Sequence, residues 1–209
     1  MTINELWHSS DERAWNEALE RYMRFVKPAD VGLVRNLEPL DRERVRLLDA
    51  QGWYDFLYHE YFRWKYTAAN RLATTRKSLS KYVELGTLDE LLSIKDRLFS
   101  LPKQDIGQAL RVASSIRGLG IAGASGLLTL MYPDNFGTVD QFVVKALREL
   151  DDLPQRHALE RMNPEGLKPT DGAILIQIMR DKAADNNRKF MTDAWTPKKI
   201  DEILWTYGR

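Results

Sequence analysis

The sequence of 209 residues contains no cysteine and only three histidines. The missing cysteines exclude disulfides, thiolate nucleophiles, iron–sulfur clusters and cysteine-ligated zinc sites. His8, His59 and His157 stand far apart and have no ligand spacing around them. A dedicated zinc site is therefore not expected.

The sequence also has little net charge and no long apolar run. With 31 basic and 30 acidic residues, its formal net charge is +1, so any nucleic-acid binding must depend on local basic patches. No apolar run reaches the ~18 residues of a membrane span. The first residues have neither the basic nor the apolar region of a signal peptide. We therefore expect a cytoplasmic protein.

What the sequence does contain is apolar residues at helical spacing. Hydrophobic residues make up 44% of the chain, which is enough for a sizeable core. They recur with the period of an α-helix through most segments, so we predict an all-α fold of about nine or ten helices. Two short apolar stretches, residues 31–34 and 172–179, are ambiguous between helix and strand by length alone.

Capping and breaking residues predict where several helices begin and end. Ser10-Asp11 is expected to cap a helix that Pro28 ends, and another helix is expected to stop near Gly52. Gly86 is expected to end a later helix. Thr196-Pro197 is a specific start signal for the last helix, with threonine at the cap and proline at the first helical position.

Four of the twelve glycines stand close together in IRGLGIAGASGLLTLM, residues 116–131. The spacing predicts a helix, a tight turn at residues 118–120 and a second helix, which is a helix–hairpin–helix. Glycines let the backbone approach a phosphate closely, and the N–H groups at the start of the second helix attract it. Residues 106–133 contain no carboxylate, but they include Arg111 and Arg117.

A Gly-Leu-Gly turn by itself is a short and weak motif. Taken alone, it more often indicates a plain helical turn that small residues allow to pack closely. This interpretation stays open beside the phosphate-binding one.

The spacing to the next aspartate makes the pattern more specific. Asp140 follows the loop YPDNFGTV and stands at the start of a predicted helix. The hairpin, the loop and Asp140 together resemble the helix–hairpin–helix DNA glycosylase superfamily, the group of endonuclease III and the adenine and 3-methyladenine glycosylases. Lys145 falls where that family usually has a basic residue. The close resemblance covers roughly 35 residues and does not extend to the ends of the chain.

The resemblance implies a two-lobed helical DNA glycosylase fold. One lobe would span about residues 37–131 and end with the hairpin, and the other would combine residues 1–36 with residues 132–209. Asp140 would be the catalytic residue, stabilising positive charge on the sugar and activating water. The residues that bind DNA would be Arg117, Gly118, Leu119, Gly120, Ala122, Gly123 and Lys145.

The resemblance further implies that the partner is double-stranded DNA with a damaged or modified base, bound by a monomer without a cofactor. No side chains are expected to hold a metal, although the resemblance allows a monovalent cation on the hairpin carbonyls. Family members that also cleave the DNA backbone have a hairpin lysine, and that position is Ala122 here. We therefore expect a monofunctional enzyme that uses water and has no lyase activity. Lys65 stays open as a nucleophile displaced to another helix.

The stretch WYDFLYHEYFRWKY, residues 53–66, places eight aromatic side chains together, and residues 61–83 contain no acid. Aromatic faces and polar edge contacts hold a flipped base, and basic groups hold phosphates. We expect two or three of these rings at a base pocket. One alternative is that this aromatic helix belongs to the core and has a solvated basic neighbour. For the polar residues His59 and Glu60, the alternative is a buried hydrogen-bonded pair. The predicted pocket residues are Tyr61, Trp64, Glu60 and His59.

Two other functions remain open on the sequence alone. The chain could be a DNA-binding protein that has the hairpin but no catalysis. It could also be a helical interaction or regulatory protein of a defence type, with no role on DNA. Salt-dependent binding to DNA would separate the last possibility from the other two.

Overall fold

The computed structural model describes residues 1–26, 28–37 and 39–209 of the chain. This part of the chain is helical and contains no β-strand, which confirms the all-α prediction. The two ambiguous apolar stretches are both helical. The described residues form fourteen α-helices, more than the nine or ten predicted, and one π-helical turn, namely α1 (Ile3–His8), α2 (Glu12–Phe25), α3 (Pro28–Leu37), α4 (Arg42–Arg46), α5 (Ala50–Asp55), the π turn (Phe56–Tyr61), α6 (Phe62–Lys65), α7 (Ala69–Glu84), α8 (Leu88–Ser100), α9 (Ile106–Ser114), α10 (Ile121–Met131), α11 (Gln141–Arg148), α12 (Arg156–Arg161), α13 (Pro169–Phe190) and α14 (Pro197–Gly208).

Several predicted helix ends are confirmed by their hydrogen bonds. The Asp11 carboxylate accepts the N–H of the second residue of α2 at 2.9 Å. The Thr196 hydroxyl accepts the N–H of the third residue of α14 at 3.4 Å, and Pro197 is the first residue of that helix. Gly86 follows α7 with a φ of 64°, a conformation that glycine adopts readily.

One of the other two predicted boundaries is confirmed and one is wrong. α2 ends at Phe25, before Pro28, and Pro28 itself begins α3, because the fixed φ of proline suits the first turn of a helix. Gly52 lies inside α5 and donates its N–H to the Asp49 carboxylate at 2.7 Å. This cap holds the start of α5 in place and outweighs the low helix propensity of glycine.

The aromatic stretch forms a helix that is interrupted by the π turn. α5, the π turn and α6 follow one another without a break. A π turn adds a residue to one turn of a helix and so changes which side chains share a face. After it, Tyr61 and Lys65 stand one turn apart and both lie against α10.

The helices pack in two groups that meet at the hairpin. α4, α5 and α7 pack on α8, whereas α2, α11 and α13 pack on α14, so that both ends of the chain come together. α9 contacts both α8 and α13, and α10 also contacts α13. A single hydrophobic cluster runs through both groups. None of the described helices combines the length and the apolar character that crossing a membrane requires.

Candidate functional site

The predicted turn lies between α9 and α10, and its two glycines have different surroundings. Gly118 has a φ of 94°, which side-chain-bearing residues rarely adopt. A Cβ atom on Gly118 would lie 2.8 Å from the Thr75 carbonyl oxygen of α7. At Gly120, apart from its own neighbours in the chain, no atom lies within 4 Å of where a Cβ would be. Gly118 is therefore required by the protein's own packing, whereas Gly120 faces open space.

The first turn of α10 presents N–H groups at this open face. The first bond inside the helix runs from the Ala124 N–H to the Gly120 carbonyl at 2.8 Å, so residues 121–123 have no acceptor within the helix. Gly120 is exposed and Ala122 is partly exposed, but Leu119 is buried. An anion could approach the backbone at the two accessible residues.

Arg117 has a carboxylate beside it in space, although the surrounding sequence has none. Its guanidinium lies 3.9 Å from the Glu90 carboxylate of α8 and 4.9 Å from the centre of the Tyr82 ring. The hairpin is therefore free of acidic residues in the sequence but not in the fold. Glu90 is exposed, so a phosphate would compete with it for Arg117.

Gly123 and Gly126 face another helix rather than solvent. A Cβ on Gly126 would lie 3.0 Å from the Tyr61 hydroxyl oxygen and 3.1 Å from Lys65 Cδ. On Gly123 a Cβ would collide with the Tyr66 hydroxyl. These two glycines let α6 approach α10 closely, so close packing by small residues accounts for them.

Asp140 stands at the start of α11 and caps it. Its Oδ1 atom accepts the N–H groups of Phe142 at 2.9 Å and Val143 at 3.1 Å. Its Oδ2 atom accepts no hydrogen bond from the residues that the structure describes, and the residue is partly exposed. One oxygen thus fixes the carboxylate, and the other is left for a ligand.

The segment before Asp140 is attached to both neighbouring helices. The Val139 N–H donates to the Ser125 hydroxyl of α10 at 2.9 Å, and the Thr138 N–H donates to the Asp201 carboxylate of α14 at 2.7 Å. Gly137 has no room for a side chain, since a Cβ there would lie 2.8 Å from a carbonyl oxygen of α14. The position of Asp140 is therefore fixed from two sides.

Two charged residues that are distant in the sequence share the surroundings of Asp140. Lys65 of α6 and Asp201 of α14 both interact electrostatically with it. Burial, and next the charge of Glu202, raise the pKa of Asp201 well above its usual range. Burial lowers the pKa of Lys65, although the two aspartates oppose this effect. The site combines a fixed carboxylate, a buried carboxyl group and an amine.

The two predicted aromatic pocket residues are placed differently. Tyr61 is completely buried, and its hydroxyl donates to the Gly123 carbonyl. Burial raises the pKa of this hydroxyl well above its usual range, so it remains a donor. Trp64 is partly buried, with its ring centre 6.0 Å from that of Tyr61. Of the two rings, Trp64 alone has surface that a base could contact.

The polar residues of the same helix lie at the surface. His59 is exposed, and the Glu60 carboxylate pairs with Arg44 at 3.1 Å. The alternative of a buried hydrogen-bonded pair is therefore wrong. Packing takes four of the eight aromatic residues fully into the core, namely Trp53, Phe56, Tyr61 and Phe62.

The last predicted residue, Lys145, lies on the helix that Asp140 caps, and the two clefts described below do not include Asp140. Lys145 is exposed on α11, and its amine lies 3.4 Å from the Arg209 carbonyl. A cleft of about 440 Å³ lies between residues 39–43 and the far end of α10, and another of about 270 Å³ lies beside Trp7. None of the predicted site residues lines either cleft, so neither one is the predicted base pocket.

Comparisons with protein-family models, with curated proteins and with solved structures found no match for this chain. The resemblance to the glycosylase superfamily therefore depends on the hairpin, the loop and Asp140.

Proposed function

We propose that this protein is a DNA N-glycosylase that removes a damaged or modified base from double-stranded DNA. The observation that supports it best is the Asp140 carboxylate, held by one oxygen at the start of α11 with the other oxygen open. An N-glycosidic bond breaks through a sugar that carries positive charge. A carboxylate that is already fixed in place stabilises such charge without reorganisation.

In the proposed reaction, a strand phosphate binds the open backbone at Gly120, and the target nucleotide leaves the base stack. The bond between C1′ and the base breaks, and the base takes the electron pair. Water then adds to C1′ and gives a proton to the open oxygen of Asp140. The hairpin has Ala122 where an amine would be needed, so we assign base release to water.

The arrangement of the helices is compatible with this proposal. Under it, residues 37–131 form one lobe of a glycosylase fold, and residues 1–36 with 132–209 form the other. α9, the first helix of the hairpin, contacts α8 of one group and α13 of the other, so the hairpin would lie where the lobes meet. We further propose that the protein acts as a monomer in base excision repair or on foreign modified DNA.

The proposal can be tested without knowing the base. Two duplexes would be compared, one with a neutral tetrahydrofuran in place of a nucleoside and one with a pyrrolidine, which carries a positive charge in the sugar ring. Asp140 should favour the charged ring by at least ~10-fold, which corresponds to about 1.4 kcal/mol. Asp140→Asn should abolish this preference and retain binding to the neutral duplex. Asp134→Asn, the same change at an exposed loop position, is the matched control and should retain the preference.

The base itself would be found with a panel of duplexes, each containing one lesion or modified base and scored for abasic sites with heat or alkali. Salt-dependent duplex binding without any base release, and without preference for the charged ring, would indicate the non-catalytic DNA-binding protein instead. A protein with no salt-dependent DNA binding would belong to the interaction or regulatory class.

A further inference from the structure

One face of α14 follows the short segment of the chain that carries Asp140. The face is formed by Pro197, Asp201, Trp205 and Gly208, which are spaced at intervals of three or four residues and therefore lie on the same side of the helix. Each of them contacts the backbone or a side chain of residues 137–142. We call this face the α14 stripe.

The beginning of this segment lies directly on the α14 stripe. A Cβ on Gly137 would lie 2.8 Å from the Pro197 carbonyl oxygen and 3.1 Å from the Asp201 Cβ, so no side chain fits between the backbone and the helix. The next residue, Thr138, donates its N–H to the Asp201 carboxylate at 2.7 Å. Close packing and one hydrogen bond thus fix the chain two residues before Asp140.

The end of the segment is held by the same stripe. The Phe142 ring centre lies 6.0 Å from that of Trp205, and a Cβ on Gly208 would collide with the Phe142 carbonyl oxygen. Phe142 also donates its N–H to Asp140 Oδ1 at 2.9 Å. The α14 stripe therefore contacts the chain on both sides of the Asp140 carboxylate.

Asp201 makes the hydrogen bond of the stripe from a buried position. Asp201 is 7% exposed and Thr138 is 8% exposed, so loss of the acceptor would leave a buried N–H without a partner. Burial, and next the charge of Glu202, raise the pKa of Asp201 well above its usual range and favour the neutral carboxyl group. The neutral group still accepts the N–H through its carbonyl oxygen. Asp201 therefore holds Thr138 without needing to be ionised.

We propose that Asp201 is a positioning residue of the reaction, which through its bond to Thr138 keeps the Asp140 carboxylate where positive charge develops on the sugar. This inference rests on the proposed function, because Asp140 acts in that reaction. It adds α14, which lies outside the hairpin, the loop and Asp140, to the parts of the site.

The role of Asp201 concerns the placement of charge and not the binding of DNA. A carboxylate stabilises a developing positive charge only where the fold has placed it before the reaction, and a small misplacement is costly. Asp201 itself is buried and is not assigned a contact with DNA. Loss of its bond to Thr138 should therefore reduce the interaction of Asp140 with a charged sugar and leave binding to a neutral duplex intact.

The experiment compares the affinities of the full chain for the pyrrolidine and the tetrahydrofuran duplex. The ratio of the two affinities does not depend on the fraction of protein that is folded, so a variant that is only less stable retains it. Asp201→Leu removes the acceptor and should lower the preference for the charged ring from at least ~10-fold to below ~3-fold. Asp201→Asn keeps a carbonyl acceptor and should retain the preference.

Ile203→Ala is the matched control on the same helix. Ile203 is buried on the opposite side of α14 from Asp201, so its truncation destabilises the helix packing without removing a contact of the α14 stripe. This variant should be less stable and should retain the preference for the charged ring.

The outcomes separate failure of the inference from failure of the proposed function. A full preference in Asp201→Leu, or a lost preference in Asp201→Asn or Ile203→Ala, would overturn the inference and leave the proposed function standing. Wild-type protein without the preference would overturn the proposed function as well. If Asp201→Leu fails to fold, as judged by circular dichroism, an ester oxygen in place of the Thr138 N–H removes the same hydrogen bond with every side chain unchanged. The preference of that protein then decides.

Discussion

The two glycines of the turn should respond very differently to the same small substitution. Gly118→Ala would place a Cβ 2.8 Å from a backbone oxygen of Thr75 at a residue whose φ is 94°. The backbone conformation costs a side-chain-bearing residue about 1–2 kcal/mol, and overpacking typically adds about 1–3 kcal/mol. We expect Gly118→Ala to lower the free energy of unfolding by about 2–5 kcal/mol.

Gly120→Ala should be mild by comparison. Gly120 caps α10 with extended backbone, and its Cβ position is open. Alanine is a poorer cap than glycine, so we expect a loss of about 1 kcal/mol or less. In a chain of this size, about 1 kcal/mol corresponds to a change of roughly 2–4 °C in Tm. The two variants should therefore differ visibly in a thermal scan.

Urea unfolding followed by circular dichroism would measure both variants under the same conditions. The midpoint should fall strongly for Gly118→Ala and little for Gly120→Ala, with unchanged slopes. Equal losses of unfolding free energy in the two variants would refute the conclusion that Gly118 is packed against α7 whereas Gly120 faces open space. A loss below about 1 kcal/mol for Gly118→Ala would refute the strain argument itself.

Three further predictions follow from the site and the core. Gly120→Asp should weaken binding to damaged and undamaged duplexes by the same factor, about 10-fold, because phosphate contacts read no sequence; unchanged affinity in a folded variant would leave the hairpin as a structural turn. Trp64→Ala should reduce affinity mainly for lesion-containing duplexes, since stacking is worth about 1–3 kcal/mol, and an equal loss on intact duplex would remove Trp64 from the base pocket. Burial opposes ionisation of Asp185, but its bond to Lys182 and nearby positive charges outweigh this and lower its pKa. Because the pKa is lowered in the folded state, the ionised carboxylate stabilises the fold above the unfolded-state pKa near 4, and this stabilisation is lost as the pH falls. Asp185→Asn should therefore lower the free energy of unfolding by about 1 kcal/mol at pH 7 and by progressively less toward pH 2 in urea titrations. A difference between variant and wild type that stays constant with pH would contradict this coupling of protonation to folding.

Features set by neighbours in the sequence could be predicted. Asp11, Thr196 and Asp140 all cap helices as their positions indicated, because a cap needs only its own side chain and the next few N–H groups. Gly86 and Gly118 adopt positive φ where turns were expected. The same local logic fails at Gly52, where the carboxylate of Asp49 is a stronger local signal and starts a helix.

Features set by contacts between distant segments could not be predicted. Lys65 and Asp201 interact electrostatically with Asp140 from positions 75 and 61 residues away in the chain. No spacing rule connects them. The basic side chain of Lys65 in an otherwise aromatic helix is only a weak sign that part of this helix lies outside the core. The buried Asp201 gave no signal, since Asp-Glu pairs are ordinary at the surface of a helix.

The hairpin and Asp140 are best understood as the two ends of one rigid connection through α10. The open backbone lies at Gly120, and the bond that holds the Asp140 segment is made by Ser125, five positions along the same helix. At 1.5 Å per residue, this corresponds to an axial distance of about 7–8 Å, on the order of one nucleotide. A phosphate bound at the turn would therefore bring a neighbouring sugar close to the carboxylate.

The glycines within α10 serve the same arrangement from the other side of the helix. Gly126 lets Lys65 lie against α10 beside Ser125. One short helix thus sets the spacing between phosphate, carboxylate and amine. Phosphate binding alone accounts for the first turn of α10 but not for Ser125 and Gly126, which follow it.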